Sequence, residues 1–257
     1  MMKKILYLWL ILGSQTLASC SEKEMDDESS STSRLLGISY SMNDNTHWEK
    51  YTYDAKGRID RVQNSSLGWK RFVYQNDTIY CNYENYQIAY SVKDNRIENW
   101  MYYPDPYPYD KNTPAASYIY KNNRLEAWVS AMSPPTEIKW ENDNIVGIGE
   151  SEFYTYTSIP ASYAAYQFSP IPPSFEKELY VMGLFGERSR NLPLTHTFYI
   201  TDTKPKGGVI SNTLNLLYKE TYDYTIKDRH VVSCEKTREF ADGTVDVIHY
   251  TLTWDME

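Results

Sequence analysis

The stretch Tyr120-Lys121-Asn122-Asn123-Arg124-Leu125 has three counterparts in the chain, each with an aromatic residue or valine, a polar residue, two Asn or Asp residues, a polar residue, and Ile or Leu. The counterparts are Tyr74-Gln75-Asn76-Asp77-Thr78-Ile79, Val92-Lys93-Asp94-Asn95-Arg96-Ile97 and Trp140-Glu141-Asn142-Asp143-Asn144-Ile145. Asn and Asp tolerate the left-handed backbone conformation that two-residue hairpin loops require. Each stretch therefore predicts a tight β-hairpin.

The loop also predicts which residues pair across each hairpin. If Asn76-Asp77 is the loop, Gln75 faces Thr78 and Tyr74 faces Ile79, and residues that pair across two strands lie on the same face of the sheet. The other three stretches give the apolar pairs Val92/Ile97, Tyr120/Leu125 and Trp140/Ile145, and the polar pairs Lys93/Arg96, Lys121/Arg124 and Glu141/Asn144. The apolar pairs are predicted to point inward and the polar pairs to water.

Three further hairpins vary this pattern. Residues 53–59 form a longer copy with Gly57 where a left-handed residue is favoured, and residues 226–231 form another short copy. The last turn is predicted at Asp242-Gly243, which places Lys236 opposite His249. On the strand after this turn, apolar and polar residues alternate, as on a half-buried strand.

The spacing of the copies predicts the fold class. Copies begin at residues 53, 74, 92, 120 and 140, so each unit is about one hairpin long. We therefore expect an all-β protein, in which an antiparallel meander of hairpins forms a curled sheet or a small water-soluble barrel. The meander is predicted to be interrupted between about 150 and 220, with one short helix near residues 174–186 that starts at Ser174 and stops at Gly186.

The N-terminus has the order of a secretion signal. Lys3 and Lys4 precede an apolar run, and the run is followed by Leu17-Ala18-Ser19-Cys20, which resembles the lipobox of bacterial lipoproteins. An ordinary signal peptide with a chance cysteine is the alternative. We expect residues 1–19 to be removed, Cys20 to be lipidated, residues 20–33 to form a disordered acidic tether, and residues 34–257 to form a single β-rich domain.

The charge of the chain bears on its location and partners. The acidic run after Cys20 resembles the signal by which some Gram-negative gut commensals place lipoproteins on the cell surface, although a plain spacer or a periplasmic location is the alternative. Net charge is −8, and loss of Lys3 and Lys4 with the signal makes it −10, which argues against nucleic acid as a partner. Strand charges such as Arg71 argue against a lipid-facing wall, so the predicted membrane contact is the lipid alone.

Beyond its ends, the layout resembles two known groups of proteins. The hairpin units are similar to the tyrosine-aspartate repeats of large secreted β-shell proteins, over six to seven residues at a time. Residues 35 to 255 resemble a family of uncharacterised lipoproteins from gut commensal bacteria described as having a porin-like fold, which share the lipobox, a segment like residues 186–193, and a closing hairpin that ends in Tyr250-x-x-x-Trp254. The family implies an outer-membrane lipoprotein, and none of these motifs is catalytic.

No motif in the sequence predicts a cofactor, a metal or an enzyme. Phosphate loops, CxxC pairs, HExxH and GxSxG are all missing from the sequence, and the histidines are isolated in it. A hydrolase acting on polysaccharide remains the alternative, with Glu150 and Glu152, or Glu176 and Glu178, as its carboxylate pair. Calcium binding at residues 43–45 is weaker than a plain turn as an interpretation.

Aromatic loops are the predicted binding surface. Tyr102, Tyr103, Tyr107 and Tyr109 lie in a proline-rich loop, and Tyr163 and Tyr166 flank a second one. Tyrosine contributes much contact area at a small entropic cost, so these loops favour a non-enzymatic module that binds a glycan, a peptide or another envelope protein. Packing against the ends of the sheet is the alternative for all six tyrosines.

Cys81 and Cys234 are the only thiols left after lipidation of Cys20. An oxidising compartment allows a disulfide between them. Both lie in strand-like stretches, where a buried free cysteine is also common. The sequence leaves the disulfide open.

Overall fold

The computed structural model describes residues 33–43, 45–66, 68–103, 114–130, 133–171, 175–206 and 209–255. The signal peptide, Cys20 and the acidic tether as far as residue 32 lie outside the described residues. So do Tyr107, Tyr109 and Asp44, as well as the side chains of Tyr102 and Tyr103. What the sequence predicts for them stays a prediction.

In the described part of the chain, sixteen strands follow one another in a closed antiparallel barrel. They are β1 (Arg34–Met42), β2 (Asn45–Tyr53), β3 (Ile59–Asn64), β4 (Gly68–Gln75), β5 (Thr78–Asn82), β6 (Gln87–Lys93), β7 (Arg96–Tyr103), β8 (Ala116–Lys121), β9 (Arg124–Ser130), β10 (Thr136–Glu141), β11 (Asn144–Ile148), β12 (Glu152–Pro160), β13 (Asn191–Lys206), β14 (Val209–Lys227), β15 (His230–Phe240) and β16 (Val245–Asp255). Each strand pairs with its neighbours in sequence, and β1 pairs with β16. The all-β meander is confirmed, and the sheet closes rather than remaining an open curl.

The repeated turns have the predicted register, and all but one have the predicted conformation. Both loop residues have positive φ angles in the turns that begin at Asp94, Asn122, Asn142 and Asp228, whereas in the turn at residues 76–77 only Asn76 does. The predicted apolar pairs are observed as cross-strand partners: Tyr74/Ile79, Val92/Ile97, Tyr120/Leu125 and Trp140/Ile145. The local chemistry of the loop therefore fixes the register of each hairpin.

The closing hairpin differs from the prediction by one residue. Lys236 pairs with Ile248, and Glu235 rather than Lys236 pairs with His249. Phe240 N–H donates to Thr244 O, so the loop contains three residues, and the last of them, Gly243, has a φ of 86°. A three-residue loop with a left-handed residue shifts the register from that of a two-residue loop.

The predicted interruption of the meander is much shorter than expected. Strands β12 and β13 and the first part of β14 lie within residues 150–220, and the described residues that leave the sheet between β12 and β13 are 161–171 and 175–190. β13 and β14 are 16 and 19 residues long, and Lys206 pairs with Val209 at their turn. The sequence has Gly207-Gly208 at this position, a hairpin signal that the Asn/Asp pattern does not include.

A single α-helix, α1 (Lys177–Val181), is observed among the described residues, where one short helix is predicted. Its first cap is Glu176 rather than Ser174, which lies outside the described residues, and it ends at Met182 before Gly183, whose φ is 76°. A left-handed glycine after the last turn is a common helix stop. The helix therefore ends before Gly186, and a 3-10 helix (Ala161–Ala164) precedes it.

Residues 161–171 and 175–190, which we call the inserted segment, lie against the inner faces of strands from around the barrel. Phe175 contacts Tyr118 on β8, and Lys177 lies 3.2 Å from Glu49 on β2. The segment also binds successive hairpins through the main chain: Ile97 N–H donates to Leu184 O, Glu187 N–H to Asn123 O, and Arg190 N–H to Asp143 O. Leu184, Glu187 and Arg190, which are three residues apart, thus bind the turn ends of three hairpins in succession.

A buried charge network fastens the inserted segment to the wall. Lys70 Nζ on β4 lies 2.8 Å from Glu176 Oε2 and 2.7 Å from Glu178 Oε2. Burial opposes the charge of Lys70, but the two carboxylates outweigh it and raise the pKa of the ammonium group. Glu178 is 3% exposed, so breaking this network would leave a charge without compensation inside the protein.

Cys81 and Cys234 are both free and buried, on β5 and β15. No disulfide joins them, and their strands are not neighbours in the barrel. Burial raises the pKa of the Cys234 thiol to about 12, and it also raises the pKa of Cys81. Among the described residues, no helix has the length and apolar character needed to cross a lipid bilayer.

Candidate functional site on the inner wall

One row of side chains runs across four adjacent strands. Tyr154 on β12 pairs with His196 on β13, His196 pairs with Glu220 on β14, and Glu220 pairs with Arg238 on β15. His196 and Glu220 are 8% and 3% exposed, so the row faces the inside of the barrel. We define the His196 cluster as Glu152, Tyr154, His196, Glu220, Lys236 and Arg238.

Glu220 is the centre of the cluster. Its Oε1 accepts hydrogen bonds from Arg238 Nε at 2.8 Å and Nη2 at 2.6 Å, and Lys236 Nζ lies 3.0 Å away. Its Oε2 accepts a hydrogen bond from Tyr222 at 2.8 Å and contacts His196 Nδ1 at 3.0 Å. Burial disfavours the charged carboxylate, but these partners outweigh burial and hold the pKa of Glu220 far below its usual range.

The ring of His196 is held on three sides. It stacks on Tyr154 with ring centroids 4.5 Å apart and an interplanar angle of 4°. Nδ1 contacts Glu220, and Nε2 lies 3.4 Å from Glu152 Oε2, an ion-pair distance without hydrogen-bond geometry. Burial works against a charged imidazole, yet the two carboxylates outweigh it and raise the pKa of His196. The ring is therefore fixed in orientation and stabilised in its charged form.

A second row, next to the cluster, is aromatic. Phe198, Tyr218 and Phe240 are cross-strand partners on β13, β14 and β15, and we call them the aromatic row. Phe198 and Tyr218 stack with centroids 5.4 Å apart, and Arg238 Cζ lies 4.7 Å from the centre of the Tyr218 ring. All three aromatic side chains are half-buried, so part of each ring is open to solvent.

The structure separates the first predicted carboxylate pair. Glu150 is exposed in a turn, whereas Glu152 is 8% exposed and accepts a hydrogen bond from Tyr154 at 2.5 Å. Glu176 and Glu178 do come together, but on either side of the Lys70 ammonium group, which compensates their charge. Glu152 is thus a site residue whose partner is His196 rather than Glu150.

The predicted tyrosine surface is placed only in part. Tyr102 and Tyr103 lie at the end of β7, where their backbones pair with Ile88 and Gln87. Tyr163 accepts a hydrogen bond from Arg229 Nε at 3.2 Å. Tyr166 packs against Arg188, whose Cζ lies 3.7 Å from the ring centre. Tyr163 and Tyr166 are half-buried and in contact with the protein itself, so they do not form a free aromatic surface.

The sequence prediction missed His196, Glu220 and the aromatic row, although one signal points to them. Alternation on the last strands places Lys236 and Arg238 on the same face as Phe240 and Cys234, so two cations point to the apolar side. Buried cations need compensating anions. That face therefore predicts a carboxylate on the neighbouring strand, where Glu220 lies.

Within the described ranges, no cluster of three or more His, Cys, Asp or Glu side chains is arranged to hold a metal ion. The polar atoms of the His196 cluster bind one another instead. The arrangement holds the ring planes and the charges in fixed positions. A pre-organised surface of this kind can orient a ligand through non-covalent contacts.

Comparisons with known proteins concern the chain path alone. No protein-family model matches the chain, and no curated protein matches it by sequence. Among solved structures, it is similar to a porin-like protein from Bacteroides vulgatus ATCC 8482, with a TM-score of 0.49 and 12% sequence identity over 86% of this chain and 98% of that one. At 12% identity, no site residue is carried over from that protein to this chain.

Proposed function

We propose that this protein is a non-enzymatic binding module of the cell envelope, which holds a glycan on the inner wall of β13, β14 and β15. The observation that carries the proposal is the aromatic row beside fixed charges. Pyranose rings stack on aromatic faces through their C–H groups, while guanidinium and carboxylate groups bind their hydroxyls. Phe198, Tyr218 and Phe240 offer the faces, and Arg238 is held against two of these rings.

The chemistry of Glu220 supports binding rather than hydrolysis. A general acid or base must exchange a proton near the working pH, so its pKa has to lie close to that pH. The pKa of Glu220 is far below its usual range, because Arg238 and its other partners stabilise the carboxylate. Glu220 therefore serves to hold Arg238 and His196 in place.

The closed barrel favours a glycan over a peptide. Extended peptides commonly bind by adding a strand to a free sheet edge. In this barrel β1 pairs with β16, and every strand has a partner on both sides. A ligand must therefore be recognised through side chains, as the aromatic row offers.

The lipid anchor at Cys20 and an outer-membrane, surface-facing location are part of the proposal. Charged pairs on outward-facing positions support an outer wall in water, because a lipid-facing wall disfavours charge. Examples are Arg71 with Asp60 at 3.3 Å and Lys93 with Glu98 at 3.8 Å. With such a wall, the lipid is the only membrane contact.

The experiment compares two adjacent aromatic residues on β13. Phe198 belongs to the aromatic row, whereas Tyr199 packs on Phe153 at the outer face, with ring centroids 5.8 Å apart. Affinity electrophoresis with a soluble mannan, xylan, glucan and fructan would identify a glycan that retards the wild type. Phe198→Ala should weaken this retardation at least about tenfold, as loss of a central aromatic contact does.

Tyr199→Ala is the matched control and should migrate like the wild type. Equal weakening in both variants would show that the effect comes from general destabilisation of β13. If none of the polysaccharides retards the wild type, the glycan assignment is wrong.

A further inference from the structure

A cleft of about 530 Å³ lies at the turn end of the barrel. The strands that line it are not the strands that hold the His196 cluster. Hairpin ends of β2 to β7 form one side of it, and α1 with the residues that follow it forms the other. Its volume lies within the range of about 300–1,000 Å³ typical of small-molecule sites. The glycan proposal does not use this cleft.

The cleft has a positive charge without a matching carboxylate. Two arginines line it. Arg58 pairs with Asp54, with Nη2 2.6 Å from Oδ2, so its charge is compensated. Arg188 has no carboxylate within ion-pair distance among the residues that the structure describes, and its guanidinium donates only to the Val181 carbonyl. Most donors of that guanidinium are thus left for another partner.

Arg188 is held in place rather than extended into water. Its guanidinium lies over the ring of Tyr166, with Cζ 3.7 Å from the ring centre, and the residue is half-buried. Gly183, with a φ of 76°, passes beside the guanidinium, and a side chain there would come within 3.7 Å of Cζ. A fixed guanidinium loses little entropy when it binds a carboxylate or phosphate.

The remaining wall of the cleft is mainly apolar. Ile59, Ile79 and Val92 contribute from the strands, and Met182 and Leu184 contribute from the inserted segment. The Tyr74 hydroxyl, which donates to Ile59 O at 2.7 Å, also lies 3.2 Å from the sulfur of Met182. The cleft therefore combines one uncompensated cation with aliphatic surface.

A second cleft of about 610 Å³ provides a contrast. It is lined by Arg124, whose guanidinium binds both Asp143 and Glu187, and also by Lys121, Lys139 and Glu126. The guanidinium of Arg124 is thus already compensated within the protein. Of the three arginines that line the two clefts, Arg188 is the one without an ion pair among the described residues.

We propose that the Arg188 cleft binds a monomeric amphiphile that has one carboxylate on an aliphatic chain, in the manner of a free fatty acid. The carboxylate pairs with the guanidinium of Arg188, and the chain lies against Ile59, Ile79 and Met182. A charge-assisted bidentate bond gives orientation, and the apolar wall gives most of the affinity.

The test uses the full-length chain with Cys20→Ser, so that no acyl chain of its own competes. Dodecanoate, below its micelle concentration, is titrated by calorimetry against this protein, with dodecanol and dodecyltrimethylammonium as neutral and cationic probes of equal chain length. We expect dodecanoate to bind and to raise the thermal unfolding midpoint, and the cationic probe to do neither. Absence of dodecanoate binding, or equal binding of all three probes, would overturn the proposal.

Two arginine variants separate the cleft from general charge effects. Arg188→Ala should weaken dodecanoate binding at least about tenfold, because it removes a hydrogen-bonded charge. Arg190→Ala removes the same charge from an exposed residue two positions away and should leave binding unchanged. An equal loss in both would reject the site. If Arg188→Ala fails to fold, Arg188→Lys replaces it, because lysine keeps the positive charge but lacks the planar guanidinium group. Arg188→Lys should bind dodecanoate more weakly than the wild type does. Unchanged binding would count against the site.

The failure of this proposal is distinguishable from failure of the glycan proposal. Phe198→Ala lies in the aromatic row and should bind dodecanoate as the wild type does. If it does not, the two sites are one, and the assignment of the amphiphile to the Arg188 cleft is wrong.

Discussion

Two regions of the barrel wall share one backbone pattern but differ in what covers their inner faces. On β3 to β9, inward side chains such as Val62, Phe72 and Leu125 are buried in the core beside the inserted segment. On β13 to β15, inward side chains such as His196 and Arg238 both bind Glu220 instead. Alternation along a strand determines which residues point inward. Whether the inserted segment covers these residues determines whether they form apolar core or a polar cluster.

The largest expected effect concerns the buried charge network that binds the inserted segment to β4, in the region of β3 to β9. Lys70→Met leaves Glu176 and Glu178 buried without a cation, and such a loss costs about 3–5 kcal/mol. Denaturant unfolding followed by circular dichroism measures the change. Arg71→Met, on the same strand but facing outward with an exposed pair, should cost less than about 1 kcal/mol. Equal costs would mean that the buried network does not hold the segment.

A somewhat smaller effect tests the main-chain contacts of the same segment. Gly186 has a φ of 82°, and a Cβ on it would overlap the carbonyl oxygen of Asn123. Gly186→Ala should therefore destabilise the protein by about 2–4 kcal/mol, from backbone strain and from displacement of the turn. The thermal unfolding midpoint reports the loss.

The control Gly243→Ala measures the cost of backbone strain without a steric overlap. Gly243 also has a left-handed backbone, with a φ of 86°, but nothing lies within 4 Å of an added Cβ. It should cost only about 1–2 kcal/mol. If Gly186→Ala costs no more than Gly243→Ala, the contact of residue 186 with Asn123 contributes nothing to stability.

The two regions also differ in how far the sequence predicts them. Hairpins such as 120–125 are predicted to the residue, because an Asn/Asp loop determines its own register locally. The His196 cluster depends instead on β13 and β14, whose pairing begins at Lys206/Val209 and includes a bulge between Phe198 and Tyr199. A bulge changes which residues face inward, and no local pattern around Phe198 predicts one.

The inserted segment is the other part that local pattern does not predict. A short helix is predicted near its place, but its contacts with Lys70, Ile97 and Asn123 join residues distant in the sequence. Such contacts are set by tertiary packing. For this reason, the alternating pattern of the strands predicts a sheet but does not predict which segment packs inside the barrel.

The smallest effect tests the charge state of the second region. The pKa of His196 is raised above 6.5 in the folded state by Glu220 and Glu152, despite burial. Between pH 6.5 and that raised pKa, the folded protein holds a proton that the unfolded chain has lost. The contribution of His196 to stability is therefore fully present below pH 6.5 and is lost as pH rises through the folded pKa.

We expect the free energy of unfolding to fall as pH rises from 6.5 through the raised pKa of His196, and His196→Gln to remove this slope at a cost of about 1 kcal/mol at pH 6. Glu220 would then still have Arg238, Lys236 and Tyr222 as partners, which limits the loss. His249→Gln is the control, since its pair with Glu235 is exposed on the outer wall, and it should keep the slope. If the slope survives in His196→Gln, the imidazole of His196 is neutral in the folded protein. Glu220 then binds Arg238 and Lys236 without a contribution from the charge of His196.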